Sequence, residues 1–154
     1  MIARYSRKEM LKIWEEENKY KIWLSIEIAA AEAMEKLKLI PRGVTATIKK
    51  RAKINVDRIH KIENQVHHDM IAFLSSITEK VGNQGRFLHQ GMTSSDVLDT
   101  CFNFQLVQAG KILNKDIDEI LQVLKNKSLR YKNTICVGRS HGIHAEPTTF
   151  GLKL

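Results

Sequence analysis

Proline is nearly missing from this 154-residue chain, which has two, and glycine is sparse at eight. That scarcity excludes a collagen-like or low-complexity chain and leaves few breaks in regular structure. Cysteine is equally thin. Cys101 and Cys136 sit in apolar company without CxxC spacing, which gives no disulfide framework and suits two reduced, buried thiols in a cytosolic protein. No apolar run approaches the ~18 residues of a membrane span, and the opening "MIARYSRKEM" is too polar for a signal peptide. Aromatic residues are 6% of the chain and do not interleave with its basic run, so the stacking platform of a single-strand binder is lacking. No internal repeat is visible.

Acid is short as well: 17 Asp and Glu face 25 Lys and Arg, giving a formal charge of +8 and a pI near 9.6. The excess favours anionic partners: nucleic acid, phosphorylated metabolites or polycarboxylates. It is densest from Arg42 to Lys61, where Arg42, Lys49, Lys50, Arg51, Lys53, Arg58 and Lys61 meet only Asp57. Such a run reads as a solvated helix face, and nucleic acid is not the expected partner.

What remains is helical patterning. Ser6 to Glu9 has the form of a capping box ahead of Met10, Ile13 and Trp14. An alanine-dense helix is expected from about Ile22 to Leu37, stopping at Pro41-Arg42-Gly43. Short helices follow over Val44–Lys53 and Val56–Asn64, the second capped by Asn55. Met70, Ile71, Leu74, Ile77 and Val81 form another stripe ended by Gly82, and the glycine-rich "GNQGRFLHQGMTSSD" reads as a loop. Thr93-Ser94-Ser95-Asp96 then opens the longest periodic segment, reaching about Tyr131. A helix of ~35 residues is about 50 Å long, too long for a small domain to cover, so it needs partners beyond this chain. Only Thr134–Val137 looks like a strand, and Pro147-Thr148-Thr149 reads as a helix start. The expected class is all-α: a compact helical domain over 1–93, then the first part of a long-helix bundle over 94–154.

Histidine traces the chemistry. His60 lies in a polar helix, while His67, His68, His89, His141 and His144 fall at element ends, where sites are built. Three readings compete. Helical phosphohydrolases of the HD type hold divalent metal with a His…His-Asp…Asp set, which His60, His68-Asp69 and Asp96 could imitate. An elimination site would use histidine as a proton donor, Thr93 and Ser94 at a helix N-terminus for carboxylates, and Arg4 as a fixed charge. In the third, the histidines cap helices and bind nothing.

Two stretches favour the second. "HQGMTSSDVLDT" (89–100) closely resembles the TSSD signature of the adenylosuccinate lyase family, and "GRSHGIHAEPTTFGLKL" (138–154) resembles its "GRTHG-HAEPTTFG" segment. "MIARYSR", "IWEEENKYKIWLSIEIAAAEA" and "HDMIAFL" fall in the order and at the separations of the same family, so the resemblance covers nearly the whole chain. It implies a fumarase/aspartase-like fold and a cytoplasmic homotetramer without metal or organic cofactor. The implied reaction is β-elimination of fumarate from adenylosuccinate, or from the succinylated aminoimidazole carboxamide ribotide of purine biosynthesis. Another lyase of that superfamily, such as argininosuccinate or carboxymuconate lyase, is the nearer alternative, and the HD-type phosphohydrolase the farther one.

Carried over position by position, the resemblance makes His141 the general acid. His68 becomes the catalytic histidine beside the succinyl group, with Asp69 following it in the binding set. Thr93 and Ser94 become the holders of a succinyl carboxylate, Arg4 and Tyr5 the pair on the nucleotide phosphate, and His89 a further phosphate contact. His67 stands where a Lys or Arg is usual, and Ser140 where threonine is commoner. The family's base, a serine on an "SSxMPxKxN" loop, has no match up to Leu154, so residues 1–154 alone are expected to be inactive.

Overall fold

The structure is a computed structural model that describes residues 2–154. Its chain forms two compact units, one running to Ala109 and the other from Gly110 to Leu154. After a 3₁₀ turn at Ala3–Tyr5, the first unit holds α1 (Lys8–Ile13), α2 (Glu16–Lys36), α3 (Val44–Arg51), α4 (Val56–Val66) and α5 (Asp69–Val81). A 3₁₀ segment, Gly82–Phe87, leads to α6 (Ser94–Arg130), a continuous helix of 37 residues. The second unit takes the far half of α6, an antiparallel hairpin of β1 (Ile135–Ser140) and β2 (Ile143–Thr149), and the short α7 (Phe150–Lys153). The fold is all-α with one hairpin.

The core of the first unit is built on an aromatic trio from α2 and α5. Tyr20 stacks on Phe73 at 5.8 Å, and Trp23 meets Phe73 edge-on at 5.4 Å. Ile48, Ile59, Ile62, Met70, Ile77 and Val81 close around the trio, all buried. Burial pushes the Tyr20 hydroxyl up to about 12, and the carboxylates of Glu16, Glu63 and Asp69 add to it. On α6 the buried face is Val97, Cys101, Gln105 and Ala109, spaced by four. Gln105 Nε2 donates to the Ile13 carbonyl, which also accepts from Asn18 Nδ2, so a polar clasp ties the end of α1 to α6.

Caps set most boundaries. Asn55 Oδ1 accepts from the Arg58 N–H at 2.9 Å and starts α4 as its sequence indicates. Ser6 does not act as expected: its hydroxyl donates to the Ile2 carbonyl across the 3₁₀ turn, and α1 begins at Lys8 without a side-chain cap. The basic run from Arg42 is mostly exposed, and two of its cations are paired. Arg58 grips Glu79 through Nε and Nη2, and Lys49 meets Glu32.

The α2–α3 corner has a borrowed cap. Gly43 takes φ 89°, open to glycine without strain, and Glu35 reaches across from α2. Its carboxylate accepts from Thr45 Oγ1 at 2.6 Å, the Gly43 N–H at 2.7 Å and the Thr45 N–H at 3.0 Å. These bonds, the Thr45 hydroxyl first, hold the Glu35 carboxyl down at about 2. A carboxyl lowered on folding stabilises the protein above its unfolded value, and that contribution fades as pH falls toward the folded value. Glu35→Ala should therefore lower the melting temperature at neutral pH by about 2–4 °C. The gap to the unsubstituted chain should close between the ordinary 4.5 and about 2. A gap of constant size at pH 2 would contradict this account of the cap.

Where α6 ends, the second unit is tied by its own bonds. Ser128 Oγ donates to the Gly151 carbonyl, Gly151 N–H to Tyr131, and Phe150 N–H to Thr134. A Cβ on Gly151 would run into the Ser128 carbonyl and lie 2.7 Å from the Lys132 nitrogen, so only glycine permits this approach. The hairpin is longer than the expected strand at Thr134–Val137, and Pro147-Thr148-Thr149 lies in β2, opposite Val137, Cys136 and Ile135. Proline holds the residue before it extended, and β-branched threonines favour a strand. The helix start falls three residues later, where Thr149 Oγ1 accepts from the Leu152 N–H.

Candidate active site

The expected site residues lie at element ends, and the backbone there is unusual. Four described non-glycine residues have positive φ: Lys38, His67, His89 and His141. Three are expected site histidines. The left-handed region costs a residue with a Cβ about 1–2 kcal/mol, so the surrounding structure must hold each of them there.

The first group joins α4 to α5. His67, at φ 51°, ends α4 in the place glycine usually takes. His68 then caps α5: its Nδ1 accepts from the Ile71 N–H at 3.4 Å and lies 3.6 Å from Asp69 Oδ1. An accepting Nδ1 is unprotonated in the neutral ring, so the proton of neutral His68 is on Nε2. Asp69 Oδ1 accepts from the Met70 N–H at 2.6 Å. His67 and His68 are exposed, while Asp69 is half-buried over the core at Met70.

The second group spans the segment into α6. Leu88 is buried and anchors His89, which is half-buried at φ 59°. Beyond Gly91, at φ 71°, Thr93 precedes the first residue of α6. Asp96 Oδ2 accepts the Thr93 N–H at 2.8 Å, and the Thr93 carbonyl accepts the Asp96 N–H at 3.1 Å. This reciprocal cap occupies one N–H of the first turn. The Thr93 hydroxyl and the N–H groups of Ser94 and Ser95 remain as donors at the positive end of a long helix. Arg4 and Tyr5 form the third group, with the guanidinium 4.7 Å from the ring centre. Both are exposed.

His141 belongs to the second unit. It and Gly142, at φ 53° and 79°, form the two-residue turn between the paired Ser140 and Ile143. Two consecutive positive φ values define the I′ turn, which matches the twist of a hairpin. The imidazole is carried at the exposed hairpin tip, while His144 lies within β2 opposite Arg139.

The alternative metal set is not brought together. His60 Nε2 is taken by Glu16 at 3.0 Å, Asp96 by the Thr93 N–H and His68 by the cap of α5. Among the described residues no three His, Cys, Asp or Glu side chains group closely enough to hold an ion. No described helix is long and apolar enough to cross a membrane.

One buried group was missed by sequence reasoning. Glu27 of α2 is 1% exposed, and its carboxylate takes both the N–H and the ring of His89. Its only signal was a carboxylate inside the apolar "SIEIAAAEA".

Comparison with known proteins bears on the chain as a whole. The chain is 48% identical over all 154 residues to the adenylosuccinate lyase of Streptococcus mutans and 49% identical to that of Thermotoga maritima. It spans about a third of these relatives, 36% of each. Among solved structures it superposes on a fumarate lyase from Mesorhizobium sp. BNC1 with a TM-score of 0.88. That match has 24% identity and covers 97% of this chain and 37% of the other. A β-carboxy-cis,cis-muconate cycloisomerase from Acinetobacter calcoaceticus sp. ADP1 superposes with a TM-score of 0.85 at 23% identity, covering 96% and 36%. These two likenesses concern the fold. The model of the lyase family matches residues 3–154, and the chain belongs to that family.

Proposed function

We propose that this chain is the N-terminal part of an adenylosuccinate lyase, which eliminates fumarate from adenylosuccinate to leave AMP and acts likewise on the succinylated carboxamide ribotide. The observation that carries the reading is 48–49% identity to two adenylosuccinate lyases across all 154 residues, both signature stretches included. Residues 1–93 are then the helical N-terminal domain and 94–154 the start of the bundle domain of a cytoplasmic homotetramer. The apolar side chains left exposed along α6, Leu113, Ile117, Ile120 and Leu121 among them, suit such a bundle.

The chemistry follows from the residues. A base removes a proton from the carbon beside a succinyl carboxylate, the C–N bond breaks, and an acid protonates the departing nitrogen. Charge develops on that carboxylate, so fixed donors aimed at it lower the barrier. Thr93 and Ser94 supply them at the N-terminus of α6. His141 is the acid, a role that suits an imidazole at neutral pH. His68 and Asp69, with His67 beside them, bind the succinyl part, with the Nε2 proton of neutral His68 available as a donor. Arg4, Tyr5 and His89 take the phosphate. The base is expected in the part of the relatives' length that this chain does not span.

Steady-state kinetics of the intact protein test the reading. Thr93→Val should lower kcat/KM for adenylosuccinate by about 10-fold or more, the loss of a hydrogen bond to a charged group. Inhibition by AMP, which lacks the succinyl group, should stay within about twofold. Equal weakening of both would remove Thr93 from the succinyl site, and no turnover of adenylosuccinate at all would sink the function.

A further inference from the structure

Glu27 is a buried carboxylate with one occupation. Its side chain has no exposed surface, and both oxygens are spent on a single residue of the 88–93 segment. Oε2 accepts the His89 backbone N–H at 2.7 Å, and Oε1 lies 2.6 Å from His89 Nδ1. A carboxylate only accepts, so Nδ1 is the nitrogen that carries a proton. The two bonds together fix the backbone and the ring plane of a residue held at φ 59°, a conformation that would otherwise be costly. Nε2 makes no hydrogen bond among the described residues, and the side chain keeps 18% of its surface exposed.

We propose that Glu27 is the positioning residue of His89. It dictates which ring nitrogen faces the buried carboxylate and leaves Nε2 to meet the substrate phosphate. With Nδ1–H committed to Glu27, Nε2 donates to an anion only when the ring bears both protons. The buried carboxylate is the counter-charge this form requires, so the contact becomes a charge-assisted hydrogen bond. The proposal rests on the reading of His89 as a phosphate contact and extends it to a residue 62 positions away on α2.

Glu27→Gln keeps the size and removes one acceptor. If its amide donates to Nδ1, the ring proton moves to Nε2 and the donor becomes neutral, so the phosphate bond weakens without a hole in the core. In the intact protein, Glu27→Gln and His89→Ala should each raise KM for adenylosuccinate by about 10-fold, with kcat changed less than about threefold. In the double variant the loss should not exceed that of His89→Ala alone, because one group acts through the other. Multiplying losses would overturn the proposal, as would a normal KM in Glu27→Gln beside a raised one in His89→Ala. An unchanged KM in His89→Ala would remove the phosphate role of His89 and the proposal with it. If Glu27→Gln does not fold, nitrogen-15 spectra of the unsubstituted protein decide: protonated Nδ1 on His89 supports the proposal, and protonation at Nε2 alone overturns it.

Discussion

His141→Ala in the intact protein should lower kcat by about 10²–10⁴-fold, the range of a lost general acid, while KM for adenylosuccinate should move by less than about threefold. In the proposed role the departing nitrogen takes its proton from His141 as the C–N bond breaks, and substrate binding does not depend on that ring. An interaction made only in the transition state appears in kcat, whereas one made equally in the bound substrate appears in KM. The position of His141 on the hairpin suits such a specialised role. His141 and Gly142 are the whole turn, and neighbouring side chains do not enclose the imidazole. Removal of the ring leaves the strand register intact, and an exposed position creates no cavity. Equal losses in kcat and KM would mean that His141 binds substrate and that the proton comes from another group.

Phe73→Ala should be the most damaging single truncation in the core. The ring is fully buried, edge-on to Trp23 and stacked on Tyr20, with those two rings 5.2 Å apart at 88°. Deleting it removes the centre of the trio. The cost is about 3–5 kcal/mol, transfer and cavity together, against a total of about 5–15 kcal/mol for a typical domain. Urea unfolding measures it directly. A loss below about 1 kcal/mol would show that α2 and α5 are held by something other than these rings. The site would feel the change too, because Asp69 and Met70 begin the helix that carries Phe73 and Glu27 sits one turn beyond Trp23.

Helix positions were legible in the sequence wherever a cap and a period agreed. Asn55 at the start of α4 and Gly82 at the end of α5 mark those limits, and the 37-residue α6 runs from the expected Ser94. Which face each helix buries was less so. The apolar stripe read for α5 includes Ile71, which is 46% exposed, whereas Ala72, Phe73 and Ser76 are buried. On α6 the apolar Phe104 is exposed, while Gln105 is buried because its amide has the Ile13 carbonyl to bind. A hydropathy pattern cannot register such a partner. The hairpin was obscured because Gly138, His141-Gly142 and Pro147 interrupt the alternation that identifies strands.

The candidate site divided along similar lines. The motifs placed His68, Thr93, Ser94 and His141 at element ends, and the backbone adds left-handed conformations at His67, His89 and His141. Glu27 escaped because its role depends on a residue 62 positions later and on a fold that brings α2 under the 88–93 segment. Local patterning carries no information about such a pair.

The most direct test of the central claim is the product balance of the intact protein with adenylosuccinate in the presence of a metal chelator. The account predicts fumarate and AMP in equal amounts, at a rate the chelator leaves unchanged. Orthophosphate released without fumarate, in a reaction the chelator stops, would contradict it.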